Sequence, residues 1–291
     1  MKLTKIIIVC LILSFLSACG MGKFFIKRAI NNIESDVAKE FKSYADFDQN
    51  QKQQIDDVAR QVDAWVRTDR LKIIYREFEK IADDIEQNSQ ISDQTWSSAI
   101  ALIERPMNLA TQTEVVEGIA KVVHSMSDQQ AEQAIASLEK EYSKALKKKD
   151  KQTLEKQNKK LAKGFKLVFS ELGVSRSKAQ IAQAKIMLAQ RKSHIELDKQ
   201  AALQNRNAIL ELARSRQTDL DDYVSKFRQA WISAERGAKH RAPELWSHNA
   251  EIAFEVLNYL LSDLSEDQRQ TAASNIRSYA DLFRELSVIK E

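Results

Sequence analysis

Glycine and proline are scarce in this chain, with six Gly and two Pro among 291 residues. Gly20 and Gly22 sit near the start, which leaves Gly118, Gly164, Gly173 and Gly237 for the rest. All-β folds spend Gly and Pro on tight turns, and doubly wound folds spend them on phosphate loops and crossovers. This sequence supplies neither, so the expected fold is all-α. With 43% hydrophobic and 30% charged residues, it has material for a buried core in one or two domains.

Apolar residues recur at helical spacing through most of the chain. Ile55, Val58, Val62 and Trp65 form one stretch, and after a gap Ile74, Phe78, Ile81 and Ile85 resume it. This predicts one long helix, or two in line, ending near Asn88. Shorter helices are expected from Asp93 and from Pro106, and Pro243 suits the first position of another because its missing N–H costs nothing there. The longest element is expected over 177–215. Ile181, Leu188, Ile195, Ala202 and Ile209 stand seven apart, a repeat that keeps one face toward a partner helix as in a coiled coil. At 1.5 Å per residue such a helix would be about 55–60 Å long. The expected shape is therefore an elongated bundle of long helical hairpins.

Three helix starts share one pattern. Asp48 precedes Gln51, Ser127 precedes Gln130 and Ser265 precedes Gln268, each after an apolar residue (Phe47, Met126, Leu264). In such a capping box the cap and the third residue satisfy each other's orphan N–H groups. Ser92 to Thr95, after Ile91, is a partial copy without the Gln.

The first residues have a different character. Lys2 and Lys5 precede Ile6 to Leu16, eleven residues with a single Ser. A bilayer span needs roughly 20 apolar residues, so this run fits the core of a secretory signal. Leu16-Ser17-Ala18-Cys19 follows. It resembles the lipobox of bacterial lipoproteins, which implies cleavage after residue 18 and a lipidated Cys19 with palmitate among its acyl groups. Gly20 in place of Asp implies, by the same resemblance, sorting to the outer membrane, with the periplasmic face of the inner membrane as the alternative. The expected organisation is a signal peptide over 1–18 and a single elongated helical domain over 19–291. Cys10 would be lost and Cys19 blocked, leaving no disulfide and no thiolate metal ligand. Without Lys2 and Lys5 the chain keeps 43 basic and 41 acidic residues, a balance that argues against nucleic acid.

Two wider resemblances accompany the lipobox. Leu264-Ser265-Glu266-Asp267-Gln268-Arg269 is similar to the L-T-x-x-Q-R motif of Spy/CpxP-type periplasmic chaperones. More of the chain resembles a family of proteobacterial helical lipoproteins to which no catalytic residues are ascribed. The resemblance runs through Arg28-Ala29-Ile30-Asn31-Asn32, the Phe47 to Gln51 step, Trp65 and Arg67, Leu71 to Tyr75, and the Ser-x-x-Gln starts in mid-chain and near the C-terminus. The pattern's Pro after Leu71 is absent here.

The chemistry-bearing residues form no recognisable catalytic set. His124, His194, His240 and His248 show no metal-ligand spacing, and Pro243 separates the last two. No G-x-S-x-G elbow, P-loop or G-x-G-x-x-G motif occurs. Adjacent acids (Asp56 and Asp57, Asp83 and Asp84, Asp221 and Asp222) diverge on a helix and read as surface. No catalytic residue, metal, cofactor or small-molecule substrate is expected, and the chain is read as non-enzymatic.

Charge is uneven along the chain. From Lys140 to Lys166 there are eleven Lys against Glu141, Asp150 and Glu155. Apolar residues keep helical spacing through it, which predicts a basic helical hairpin over about 140–166 with its turn near 149–151. Lys147, Lys148, Lys149 and Lys151 are the candidate contacts to an anionic surface, whether phospholipid headgroups, peptidoglycan or an acidic envelope protein; a merely solvated turn is the alternative. The expected function is a lipid-anchored envelope protein with a structural or interaction role. The alternatives are a chaperone-like periplasmic binder and an envelope hydrolase.

Overall fold

A computed structural model describes residues 22–104, 112–236 and 239–288. Cys19, the rest of the signal segment and Pro106 lie outside the described residues. Within them the chain is all-helical and contains no strand. The α-helices are α1 (Lys23–Asn31), α2 (Ile33–Lys42), α3 (Gln49–Trp65), α4 (Leu71–Asn88), α5 (Asp93–Glu104), α6 (Thr113–His124), α7 (Asp128–Asp150), α8 (Leu154–Glu171), α9 (Lys178–Leu188), α10 (Ile195–Arg214), α11 (Leu220–Arg236), α12 (Pro243–Leu261) and α13 (Glu266–Leu286).

The predicted helix ending near Asn88 is present as two α-helices in line. A five-residue π-helical segment, Val66–Arg70, joins α3 to α4 without a break in helical backbone. The gap in the apolar pattern explains it. A nine-residue step from Trp65 to Ile74 would put them half a turn apart in a pure α-helix. The wider π turn takes up one residue, and both side chains are buried. The 40 residues from Gln49 to Asn88 give about 60 Å of helical rise.

The predicted helix over 177–215 is not continuous. It divides into α9 and α10, separated by residues 189–194. No Gly or Pro marks the break, because the stop comes from α12. The buried Asn249 accepts from the Lys192 backbone N–H at 2.8 Å and donates to the Lys192 carbonyl at 3.0 Å. The His248 ring Nε2 sits 3.2 Å from the Gln190 carbonyl. These bonds satisfy backbone groups that a continuous helix would pair internally. Of the heptad residues, Leu188 is buried in the second core with Ile181 packed against it, whereas Ile195, Ala202 and Ile209 are half-buried on α10, which packs along α7 and α11; Leu212 at its end enters the first core.

The first core gathers α1, α2, α3, α6, the start of α7, the end of α10, α11 and the end of α13. Ile30, Ile55, Val116, Tyr223 and Phe283 are among its buried members. The second gathers the end of α4, α8, α9, α12 and the start of α13, around Ile85, Phe169, Leu188, Leu260 and Ile276. The α4–α13 pair is the most extensive in the fold and runs through both. It is antiparallel, with Arg269 beside Ser89 at one end, Arg277 beside Asp83 and Glu86, and Phe283 against Phe78 at the other.

Helix ends follow the caps in the sequence. All three predicted capping boxes form, and Ser92 accepts from the Thr95 N–H at 3.2 Å. Pro243 takes the first turn of α12. A further box, Ser177 with Gln180, opens α9. Gly173, at φ +74°, closes α8. The Val174 N–H bonds the Phe169 carbonyl at 2.8 Å and the Gly173 N–H bonds the Ser170 carbonyl at 3.1 Å, a Schellman closure that needs a left-handed residue.

Candidate functional site

The basic segment folds as an elbow. Helix α7 runs to Asp150, residues 151–153 turn, and the Thr153 side chain accepts from the Lys156 N–H at 3.2 Å to start α8. The turn lies at the end of the predicted 149–151 window, but α7 and α8 do not pair as a hairpin. Helix α7 packs along α10 and α8 along α9. The cause is the placement of apolar side chains. Ala131 and Ala134 of α7 enter the first core, while Ala162, Phe165 and Phe169 of α8 enter the second.

Charge exchange fixes the elbow to α10. Lys149 Nζ lies 3.7 Å from Asp198, and Lys199 Nζ lies 3.0 Å from Asp150. Further along the antiparallel seam Arg206 meets Glu139 at 3.1 Å. Asp198 also pairs with the His194 ring at 2.9 Å, and that ring packs 4.7 Å from Trp246. Hydrogen bonds to Glu196 and Asp150 hold the Lys199 ammonium above the ordinary lysine range. Burial pushes the Tyr142 phenol up.

The lysines around this seam point outward. Lys140, Lys144, Lys147, Lys148, Lys151, Lys156, Lys159, Lys160, Lys163 and Lys166 are exposed, and only Lys149 is half-buried. Among the described residues, Lys149 is also the only one of the eleven with a carboxylate within ion-pair distance. The segment's own acids are partly engaged elsewhere, Asp150 by Lys199 and Glu141 by the Tyr44 hydroxyl at 3.0 Å. The result is a set of exposed ammonium groups without carboxylate partners among the described residues, suited to point-charge attraction of phosphate or carboxylate. Of the four candidate contacts, Lys147, Lys148 and Lys151 present themselves to solvent, whereas Lys149 is committed to Asp198. Cys19 lies outside the described residues. Asp198 and Lys199, which lock the elbow, escaped the sequence reading. Their signal was the Asp-Lys order opposite the Lys149-Asp150 order on α7.

The other candidates are dispersed. His124 Nε2 is 2.9 Å from the Thr218 carbonyl and its ring packs 5.4 Å from Tyr223; His240 is exposed. The acid pairs are surface groups: Asp56 meets Lys42 at 2.5 Å, Asp83 meets Arg277 at 2.7 Å, and Asp221 and Asp222 are exposed. No group of three or more metal-ligating side chains occurs among the described residues. An open depression of about 480 Å³ at the end of α10 is lined by Asn207, Leu210, Glu211, Arg214 and Ser215. No helix among the described residues is long and apolar enough to cross a membrane. Comparison with protein-family models, with curated proteins and with solved structures returns no match.

Proposed function

We propose that this chain is a non-enzymatic lipoprotein of the bacterial cell envelope. It is held at the outer membrane through Cys19, faces the periplasm, and contacts another envelope protein or the cell wall. The observation that carries this reading is Leu16-Ser17-Ala18-Cys19 directly behind an eleven-residue apolar run. Several acyl chains on one cysteine hold a protein to a membrane effectively permanently, at about 0.8 kcal/mol per buried methylene. The body is an elongated helical bundle, a reading supported by the Gln49 to Asn88 path through the fold. The interaction role draws on the exposed lysines of the elbow. A chaperone-like groove is the weaker alternative. The exposed large apolar side chains beyond Phe24 and Phe25 (Ile73, Ile186, Leu203 and Val288) stand on separate elements.

The test is Cys19→Ala in cells. Fatty-acid labelling is expected to vanish and the chain to lose its acyl tether. A variant that still incorporates fatty acid would overturn the assignment of Cys19. In-cell crosslinking of the tethered protein followed by mass spectrometry identifies the partner, and small-angle scattering checks the elongation. For the elbow, the solvent-facing Lys147, Lys148 and Lys151 are changed together to Gln, leaving the Lys149–Asp198 pair intact. Binding to anionic vesicles or peptidoglycan sacculi is expected to weaken, with a difference that fades as salt rises, since such attraction is screened within about 8 Å at physiological ionic strength. A wild type without salt-sensitive binding to either material would reduce the elbow to solvated surface.

A further inference from the structure

We infer that the first turn of α1 is a second membrane contact, in which the rings of Phe24 and Phe25 enter the headgroup–acyl boundary of the bilayer that carries Cys19. The inference rests on the lipid-anchor reading above. Phe24 is 69% and Phe25 50% exposed, the only exposed aromatic pair among the large apolar side chains of the described residues. Their rings meet edge to face at 5.5 Å. The opposite side of the helix is not free to turn over and hide them, because Ile26 and Ile30 are 2% and 0% exposed in the first core. Two cationic side chains fasten α1 to the last helix. Lys23 Nζ lies 5.4 Å over the Tyr279 ring, and Lys27 Nζ meets Glu285 at 2.7 Å. The exposed Arg28 stands one turn beyond Phe24 on the same side, placed for a phosphate.

Position along the chain supplies the occupant. Phe24 follows Cys19 by five residues, which span at most about 17–18 Å when fully extended. A cysteine acylated into the bilayer therefore keeps this turn within reach of the interface. A surface with aromatic rings and cations on it is the kind that settles about 5–10 Å into the headgroup–acyl boundary. The docking partner is therefore the phospholipid surface rather than a protein or a second copy of the chain.

The test uses the mature chain extracted from membranes, in which cleavage removes Cys10 and acylation blocks Cys19, so that an introduced thiol is unique. Phe24→Cys, Phe25→Cys and, as an exposed control on α9, Ile186→Cys are each labelled with a bimane probe. They are then placed in phosphatidylethanolamine–phosphatidylglycerol liposomes with or without brominated acyl chains. Probes at 24 and 25 are expected to lose about half their emission to brominated lipid, and the probe at 186 none. Equal behaviour at all three positions overturns the contact. Intact mass reads acylation of Cys19 separately. If the chain carries no acyl groups, the labelling is repeated with Cys10→Ala and Cys19→Ala; quenching that persists at 24 and 25 overturns the anchor and leaves the contact standing, and without quenching both fall.

Discussion

Gln51 and Gln130 hydrogen-bond each other in both directions. Gln51 Nε2 donates to Gln130 Oε1 at 3.1 Å, and Gln130 Nε2 donates to Gln51 Oε1 at 2.8 Å. Each is also the third residue of a capping box, so each carbonyl oxygen accepts from the N–H of its own cap, Asp48 or Ser127. Two helix starts, 79 residues apart in sequence, are thus tied amide to amide, with Gln51 almost fully buried. Gln51→Ala and Gln130→Ala are each expected to cost about 1–2 kcal/mol. The double variant is expected to cost less than the sum, because either single change already breaks the pair. Denaturant unfolding of the four chains gives the cycle, and strict additivity would show that the two caps act independently.

Arg67 is expected to be the most costly single side chain to remove. It is 6% exposed and sits in the π segment, where it donates to Asp63 at 2.8 Å, to the Leu286 carbonyl at 3.0 Å and to the Ile30 carbonyl at 3.0 Å. Arg67→Met leaves two carbonyls and a carboxylate short of partners, at about 3–5 kcal/mol. Arg67→Lys is expected to recover only part, since an ammonium cannot span the same fork of acceptors. Thermal unfolding distinguishes the series; full recovery by Lys would show that charge, not geometry, holds the site.

Gly118 lets α6 approach α3. A Cβ there would lie 2.6 Å from Val58 Cγ2, so Gly118→Ala is expected to destabilise by about 1–3 kcal/mol despite the better helix propensity of Ala. Adding Val58→Ala opens the space, and the pair is expected to cost less than the two losses summed. A stabilised single variant would mean that the helices separate freely.

Acid sensitivity is expected at Asp84. Burial alone would raise its pKa, but hydrogen bonds from the Ser92 N–H and the Thr95 and Ser92 hydroxyls outweigh it and hold the carboxyl below its ordinary value. A depressed folded pKa contributes stability that is fully present above the ordinary carboxylate pKa of about 3.8 and is lost as pH falls through the folded value. Asp84→Asn is therefore expected to cost about 1 kcal/mol at pH 7, allowing for solvent screening. The gap to wild type is expected to close below about pH 4. A gap constant across that range would assign the loss to shape rather than charge.

Local signals in the sequence carried far. Asp48, Ser127 and Ser265 announce their helices because a capping box is complete within four residues, and Pro243 does so because its ring suits only a first turn. Ser177 and Gln180 carry the same signal, which the heptad stripe running through them obscured. The break after Leu188 was not legible, since its cause is Asn249, 57 residues downstream. The elbow illustrates both cases. Its turn follows from charge and apolar spacing, but the parting of α7 and α8 depends on two cores that exist only once the chain has folded. Lys149 was legible as a cation and not as Asp198's partner, for the same reason.

The guanidinium of Arg67 grips the carbonyl of Ile30 on the first helix and that of Leu286 on the last, so the fold begins and ends at one place. Any pull on the residues ahead of Gly22 loads this junction first, in shear between α1 and α13. Ile30 and Phe283 are buried in the first core at the same place, so slip at this junction opens that core, and Arg67 shares the load with the Lys23–Tyr279 and Lys27–Glu285 contacts.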